Sequence, residues 1–401
     1  MSGDSRSRRQ ITIVGGAYVE RCQWPTWFEL FGSGVRAAGA IAGRDADVIL
    51  HSFISDDWTK NLELIASALG FSLRRSPVAT TPEFHYRHSL APPMFHGSRS
   101  SIESLNVQSE LTLCYGMMQG NAIVSAESVV YDPQSPLRPQ HFRQNGSDCR
   151  RLAIVANEAE IRGLSGCDDV KLGAETLCGD QAADVVVVKR GIRGCIVFSA
   201  SGIHEFPAYR IRSSFLIGSG DIFSAEFAYR WLIEDESADR AAELASLAVA
   251  YYSQGPALPV PKLIPEGCHS GAIATPEKPR SIYLAGPFFN LQQLWMVEEA
   301  LAHLTDQGLE VFSPFHRIGI GEPNVVAKQD VEAIRAADGM FALLDGYDAG
   351  TLFEIGLARS LDKPVTVFVT SRERQNLTML TGTGCEVFHD FVSAVLWEAS
   401  R

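Results

Sequence analysis

Nowhere do 18 apolar residues run together, so the sequence offers no membrane-spanning helix. The first residues, Met1 to Gln10, are polar and lack the apolar core of a secretory leader. Cysteine occurs eight times but never as a CxxC pair, which argues against a zinc site and a disulfide framework and fits reduced thiols. Positive charge is also in short supply. With 35 Lys and Arg against 47 Asp and Glu the net charge is −12, unsuited to a general nucleic-acid surface, which needs cations along the phosphate backbone. A small nucleotide in a locally positive pocket stays compatible with that balance. No internal repeat is present. Together these absences describe a soluble, cytoplasmic protein whose partners are small molecules, with no general nucleic-acid binding and no membrane.

What is present is a globular composition, 46% apolar and 20% charged, over 401 residues. That length favours two domains. Between Ser253 and Pro279 six prolines fall without periodicity, the signature of a connecting segment.

The chain is organised around Asp345-Gly346-Tyr347-Asp348-Ala349-Gly350-Thr351-Leu352-Phe353-Glu354. The apolar run Met340 to Leu344 enters this stretch as a buried strand. A helix leaves at about Thr351, and Val365 to Val369 reads as the next strand. Carboxylates then gather near the carboxyl end of a strand, where open α/β sheets bind ligands. Glu354 is expected in the first helical turn, where the helix dipole favours a carboxylate. Thr351-x-x-Glu354 equally fits a capping box, in which the Glu only satisfies a free N–H. Asp330, ahead of the strand, and Tyr283, in the strand Ser281 to Ala285, add further polar groups to the same region.

Three motifs, Tyr-Leu-Ala-Gly-Pro-Phe-Phe from Tyr283, the Asp330 helix and Leu-Asp-Gly-x-Asp-x-Gly-Thr-x-x-Glu-x-Gly from Leu344, resemble the nucleoside 2-deoxyribosyltransferase family over about Arg280 to Glu398. The resemblance implies Glu354 as the nucleophile on the anomeric carbon, oriented by Tyr283. Asp348 and Asp330 would handle the base and its proton, and Gly286, Phe288 and Asp345 would line the substrate. It also implies a site completed by a neighbouring subunit through Arg372 to Met379, with Asn376 at the sugar hydroxyls, hence a homo-oligomer, dimer or higher. No cofactor is implied for this domain. The loop Ala285 to Asn290 is apolar and uncharged, which favours nucleosides over nucleotides, with Arg317 as a residual source of phosphate contact.

In the N-terminal part, Ile11 to Val14 reads as a strand followed by Gly15-Gly16, and Phe31 to Ala40 as a glycine-rich turn entering a small-residue helix. The stretch Pro77 to His96 suggests strands or a lid. Val185 to Val188 has the composition of a strand buried on both faces. Gly218-Ser219-Gly220-Asp221 opens a helix expected to reach about Leu232. It fits an anion-binding helix N-terminus with an Asp base, and it also fits a loop with an Asp N-cap.

Gly15-Gly16, Asn157-x-x-Glu160, Lys189-x-Gly191-x-x-Gly194 and Gly218-Ser219-Gly220-Asp221, in that order, resemble the ribokinase-like (PfkB) sugar and nucleoside kinases over about Ile11 to Pro261. The resemblance implies ATP and Mg2+ as cofactors, with Asp221 as catalytic base and Gly218, Ser219 and Gly220 as anion hole. Lys189, Gly191 and Gly194 would lie at the nucleotide, and Asn157 and Glu160 near phosphate and indirectly at the metal. Gly16 and Glu20 would lie at the acceptor, Glu20 standing where the family usually carries Asp. Phe215-Leu216 replaces the usual Asp-Thr, and the usual Asn is not evident near Arg36 to Ala38.

The expected fold is α/β with two doubly wound domains. A ribokinase-like domain occupies 11–261, a linker 262–279, and a smaller Rossmann-like (flavodoxin-like) domain 280–401. The expected function is cleavage or transfer at an N-glycosidic bond through a Glu nucleophile, coupled to a domain that phosphorylates a nucleoside or sugar. The alternative is that the N-terminal domain binds or assembles without turnover, regulating the C-terminal enzyme.

Overall fold

The computed structural model describes residues 8–97, 104–135, 138–276, 278–319, 321–371 and 377–401. The chain forms two compact units, Met1–Ile211 with Phe215–Ala272, and Arg212–Ser214 with Ile273–Arg401. The linker expected at 262–279 is shorter than that. Residues 262–272 group with the first unit, where the Arg210 N–H donates to the Gly271 carbonyl (2.9 Å) and the Ser270 N–H to the Arg210 carbonyl (2.8 Å).

The first unit begins β1 (Arg9–Val14), β2 (Tyr18–Trp24), β3 (Trp27–Phe31), α1 (Gly32–Ile41), β4 (Ala46–Ile54), α2 (Asp56–Leu69), β5 (Ser72–Pro77), β6 (Glu83–His88) and β7 (Met94–His96). It continues through β8 (Ser104–Tyr115), β9 (Asn121–Asp132), β10 (Asp148–Asn157), α3 (Glu158–Ser165), α4 (Val170–Asp180), β11 (Val185–Lys189), β12 (Cys195–Ser199), β13 (Gly202–Phe206), α5 (Ser219–Ala228) and α6 (Ala238–Tyr252). Among the described residues its main sheet has nine strands in the order β13-β12-β11-β10-β9-β8-β1-β4-β5. Pairing is parallel from β11 to β5, and β12 and β13 are antiparallel at one edge.

The two faces alternate along each strand, as a period of two requires. Val185 and Val187 join the core beneath α1, α5 and α6, whereas Val186 and Val188 join that beneath α3 and α4. An apolar layer on each face is the doubly wound arrangement. A separate four-stranded sheet, β3-β2-β6-β7, takes up much of the stretch read as strands or a lid. The helix opened by Gly218 runs as α5 to Ala228 and continues as a π-helical turn over Tyr229–Ile233, close to the expected end at about Leu232.

The second unit holds β14 (Ser281–Ala285), α7 (Leu291–Asp306), β15 (Glu310–Phe312), α8 (Pro314–Arg317), α9 (Pro323–Ala336), β16 (Gly339–Leu344), α10 (Ala349–Ser360), β17 (Val365–Val369), α11 (Thr378–Gly382), β18 (Glu386–Phe388) and α12 (Phe391–Ala399). Its sheet is wholly parallel in the order β15-β14-β16-β17-β18, the 2-1-3-4-5 order of flavodoxin-like folds. Every residue of β16 and β17 is buried, which explains their unbroken apolar runs. The order reverses between β14 and β16, and the crevice beyond their carboxyl ends is where this topology places a ligand.

Candidate active site

In the second unit, β14 carries Tyr283 to that crevice. Its ring is fully buried and stacks on Phe312 with centroids 5.9 Å apart. Its hydroxyl donates to Oε1 of Glu354 at 2.6 Å. Burial, then the Glu354 and Asp330 carboxylates, push the phenol well above its ordinary range, so the hydroxyl stays protonated as a donor.

Glu354 does not sit in the first turn of its helix. Helix α10 starts at Ala349 and is capped by Asp348, which accepts from the Thr351 N–H (2.8 Å) and the Thr351 hydroxyl (2.9 Å). Thr351 is therefore the third helical residue and Glu354 lies one turn further on. The capping-box reading of Glu354 falls with that register, and so does the expectation that the helix start favours its charge. Burial dominates instead: with repulsion from Asp330 and Asp348 it lifts the Glu354 carboxyl to about 7, against the opposing Tyr283 hydrogen bond. Thr351, Ile355 and Ala358 form the buried stripe of α10, and Glu354 is at its edge, facing Tyr283.

Asp330 lies on α9 one turn before the buried Ile334. Burial raises its pKa while the Tyr283 hydroxyl opposes the rise, and its Oδ1 is buried without a hydrogen-bond partner. A buried carboxyl oxygen without a protein partner is uncommon. Asp345, at the end of β16, is held on both oxygens, by the Thr370 hydroxyl (2.8 Å) and by Nε2 of Gln293 (3.1 Å). Between the two aspartates Gly346 and Tyr347 are left-handed, φ 60° and 54°, a costly conformation for the tyrosine of the kind that clusters at functional sites.

Gly286 is required by packing, since a Cβ there would lie 2.9 Å from Cβ of Leu343. Phe288 sits among aromatic rings, 5.4 Å from Phe289 and 5.1 Å from Phe315. Gln293 escaped the sequence reading. Its Oε1 accepts the Phe289 N–H at 3.1 Å while its amide holds Asp345, so it ties the loop after β14 to the end of β16. The signal was Asn290-x-x-Gln293, whose Asn caps α7. Arg317 is exposed on α8, and Asn376 lies outside the described residues.

In the first unit the residues expected at an acceptor are brought together, but around a protein side chain. Arg36 of α1 is 1% exposed. Its Nη1 donates to Oε1 of Glu20 (3.0 Å) and to Oδ2 of Asp221 (2.8 Å), its Nη2 pairs with the other Glu20 oxygen, and its Nε donates to the Tyr252 hydroxyl (3.0 Å). Glu20 also accepts the Gly32 N–H, and the second Asp221 oxygen accepts Nε2 of Gln134 at 2.6 Å. Burial raises the Asp221 pKa, Glu20 and Asp132 add to it, and Arg36 opposes it. Gly218, left-handed at φ 78°, packs on the guanidinium, and a Cβ there would be 2.1 Å from Nε of Arg36. The glycine pair at the end of β1 admits α1: the Gly34 N–H donates to the Gly16 carbonyl (3.0 Å), and a Cβ on Gly16 would strike the Tyr18 ring at 2.0 Å. Sequence reasoning missed Arg36 as a partner, although it is the one cation in a helix whose ten residues are all buried.

The expected nucleotide residues are likewise paired. Asn157 and Glu160 form a reciprocal capping box at the start of α3, both bonds 2.9 Å. Burial and Asp132 lift Glu160 to about 7. Lys189 bonds Oδ2 of Asp132 at 2.6 Å, which also accepts the Ser224 hydroxyl. Burial works against the Lys189 charge, but Asp132, Glu160 and Asp221 outweigh it and raise its pKa. Ser219 and Gly220 begin α5, with Gly220 facing Lys189: a Cβ there would stand 3.7 Å from Nζ. Gly191 and Gly194 are both left-handed, and at Gly194 a Cβ would meet the Phe206 carbonyl at 1.9 Å.

Residues 121–261 match the family model of the pfkB family carbohydrate kinases, and residues 282–393 that of nucleoside 2-deoxyribosyltransferase. The chain thus carries a ribokinase-like kinase domain and a nucleoside deoxyribosyltransferase-like domain, both from enzyme families. No curated protein matches it. Similar solved structures are ribokinase-family kinases. A fructokinase from Vibrio cholerae O395, bound to fructose, ADP and calcium, has 16% identity and TM-score 0.48, covering 62% of this chain and 93% of its own. An aminoimidazole riboside kinase from Salmonella enterica, with aminoimidazole riboside and an ATP analog, has 14% identity and TM-score 0.47, covering 62% and 94%. A ribokinase from Thermotoga maritima has 17% identity and TM-score 0.46, covering 61% and 93%. No helix among the described residues is long and apolar enough to cross a membrane.

Proposed function

We propose that the second unit cleaves or transfers the N-glycosidic bond of a (deoxy)nucleoside, with Glu354 as nucleophile. The observation that carries this reading is the 2.6 Å hydrogen bond from the buried Tyr283 to a Glu354 that caps nothing, beside the Asp330 carboxyl. A Glu354 oxygen attacks C1′ and the bond from C1′ to the base nitrogen breaks. The departing base takes a proton from Asp330, whose raised pKa suits it to carry one. The resulting glycosyl ester is then opened at C1′ by water, which gives up a proton to the Asp330 carboxylate, or by the nitrogen of a second base, with net retention. Tyr283 holds the attacking oxygen in place and Asp348 fixes the start of the helix that presents it.

The apolar loop 285–290 with Phe288 and Phe289 supports a nucleoside rather than a nucleotide, since bases stack on aromatic rings and nothing cationic in that loop meets a phosphate. A homo-oligomer is part of the same reading. Phe289, Leu291, Phe353 and Met379 of the second unit are 76%, 83%, 67% and 73% exposed, apolar surface of the sort a second copy covers. The deciding experiment is incubation with deoxynucleosides, with and without an acceptor base, followed by chromatography of the bases. Base exchange identifies a transferase and free base without acceptor a hydrolase. No base release from any deoxynucleoside overturns the reading.

A further inference from the structure

We infer that the ribokinase-like domain is filled from within, the Arg36 side chain occupying the position of the phosphoryl acceptor, so that the domain does not transfer phosphoryl groups. Transfer to an acceptor hydroxyl requires that hydroxyl within hydrogen-bond reach of its base, and in this site also of the carboxylate that grips the acceptor. Asp221 and Glu20 are the residues with those assignments. The position within reach of both is taken by Nη1 of Arg36, 2.8 Å from one carboxylate and 3.0 Å from the other. The guanidinium also lies against Gly218, the first residue of the expected anion hole.

The arrangement is closed chemically as well as sterically. Arginine has five N–H donors, and four hydrogen bonds to Glu20, Asp221 and Tyr252 engage four of them. Both oxygens of Asp221 already accept, from Arg36 and Gln134, and the guanidinium stands where an acceptor hydroxyl would have to approach. Displacing Arg36 would strand two buried carboxylates without a cation, which is strongly unfavourable. Nor do the expected nucleotide and metal residues offer a ready site. Asn157 and Glu160 satisfy one another's backbone, and the Lys189 charge is committed to Asp132. The residues present do not fit ATP and Mg2+ chemistry, and no phosphoryl-transfer step is derived from them. In their place stands a buried ionic lock joining β2, α1, α5 and α6.

The test uses the full chain. Wild-type protein with ATP and Mg2+ is offered nucleosides, pentoses, hexoses and sugar acids while ADP is followed. No acceptor-dependent ADP above the blank is expected. In parallel, thermal unfolding is measured for wild type, Arg36→Met, Glu20→Gln and the double variant. Arg36→Met should lower the midpoint by about 10 °C, and the double variant by less than the two single losses together, because both remove one interaction. If Arg36→Met does not fold, Glu20→Gln and the wild-type ADP assay still decide. Acceptor-dependent ADP formation that disappears in Asp221→Asn overturns the inference. So do Arg36→Met and Glu20→Gln variants that melt with the wild type, because the guanidinium would then not be locked in place.

Discussion

Replacing Glu354 by Gln tests the site through stability as well as turnover. Glu354 titrates at about 7 in the folded protein against an ordinary 4.5, chiefly because it is buried. A folded pKa raised in this way favours the native state fully below pH 4.5, and that advantage is lost as pH rises to about 7. At about 1.4 kcal/mol per pH unit the interval from 4.5 to about 7 sets a ceiling of about 3.5 kcal/mol. The side chain is partly open to the crevice, and solvent screening brings the expected loss to about 2 kcal/mol. Gln keeps the size and can still accept the Tyr283 hydroxyl, but it carries no charge to desolvate. Glu354→Gln should therefore abolish base release yet match the wild type in stability at pH 4.5 and exceed it at pH 8, by about 8 °C in the transition of the second unit. Differential scanning calorimetry at the two pH values reads this directly. Equal midpoints at pH 8, or retained turnover in the folded variant, would refute the account of Glu354 as a buried nucleophile.

Tyr283→Phe removes the donor that holds Glu354 charged, so the acidic limb of the pH–rate profile should move up by about one pH unit. An unchanged limb with reduced rate would assign Tyr283 to packing alone. Asp348→Ala should cost about 1 kcal/mol as a lost helix cap and lower turnover at all pH values; urea unfolding and steady-state rates check both. Mixing inactive Glu354→Ala with inactive Asn376→Ala protein should restore some base release if sites are shared between copies, and a fully active monomer on sizing would end that expectation.

Much of the second unit was legible because its signals are local. The runs Met340 to Leu344 and Val365 to Val369 read as buried strands, and both are. Tyr283, Asp330 and Glu354 came from separate motifs, and the parallel sheet brings them to one crevice. The helix start was misread because Asp348 and Thr351 are both good capping residues, and choosing between them shifts Glu354 by a turn. The first unit hid its main feature for another reason. Arg36 meets Glu20, Asp221 and Tyr252 at separations of 16, 185 and 216 residues, contacts no periodicity encodes. Gly16 was expected at the acceptor, but helix packing and the Tyr18 ring use the space the glycine pair leaves.

The two clusters of carboxyl groups differ in how far they are satisfied, and that difference separates chemistry from architecture. Glu20 and Asp221 are bonded on every oxygen, with a guanidinium between them. The guanidinium fills the space between the two carboxylates that a substrate would need, and removing it leaves two buried acids without a cation. The Glu354 cluster is incomplete. One phenol faces two carboxyl groups, both pushed upward by burial, and one Asp330 oxygen has no partner. No cation among the described residues is paired with it, so a proton or an electron-poor anomeric carbon is what relieves it. An oxocarbenium-like sugar, carrying positive charge only as its base departs, supplies that relief in the transition state rather than before it, which is where stabilisation accelerates the reaction.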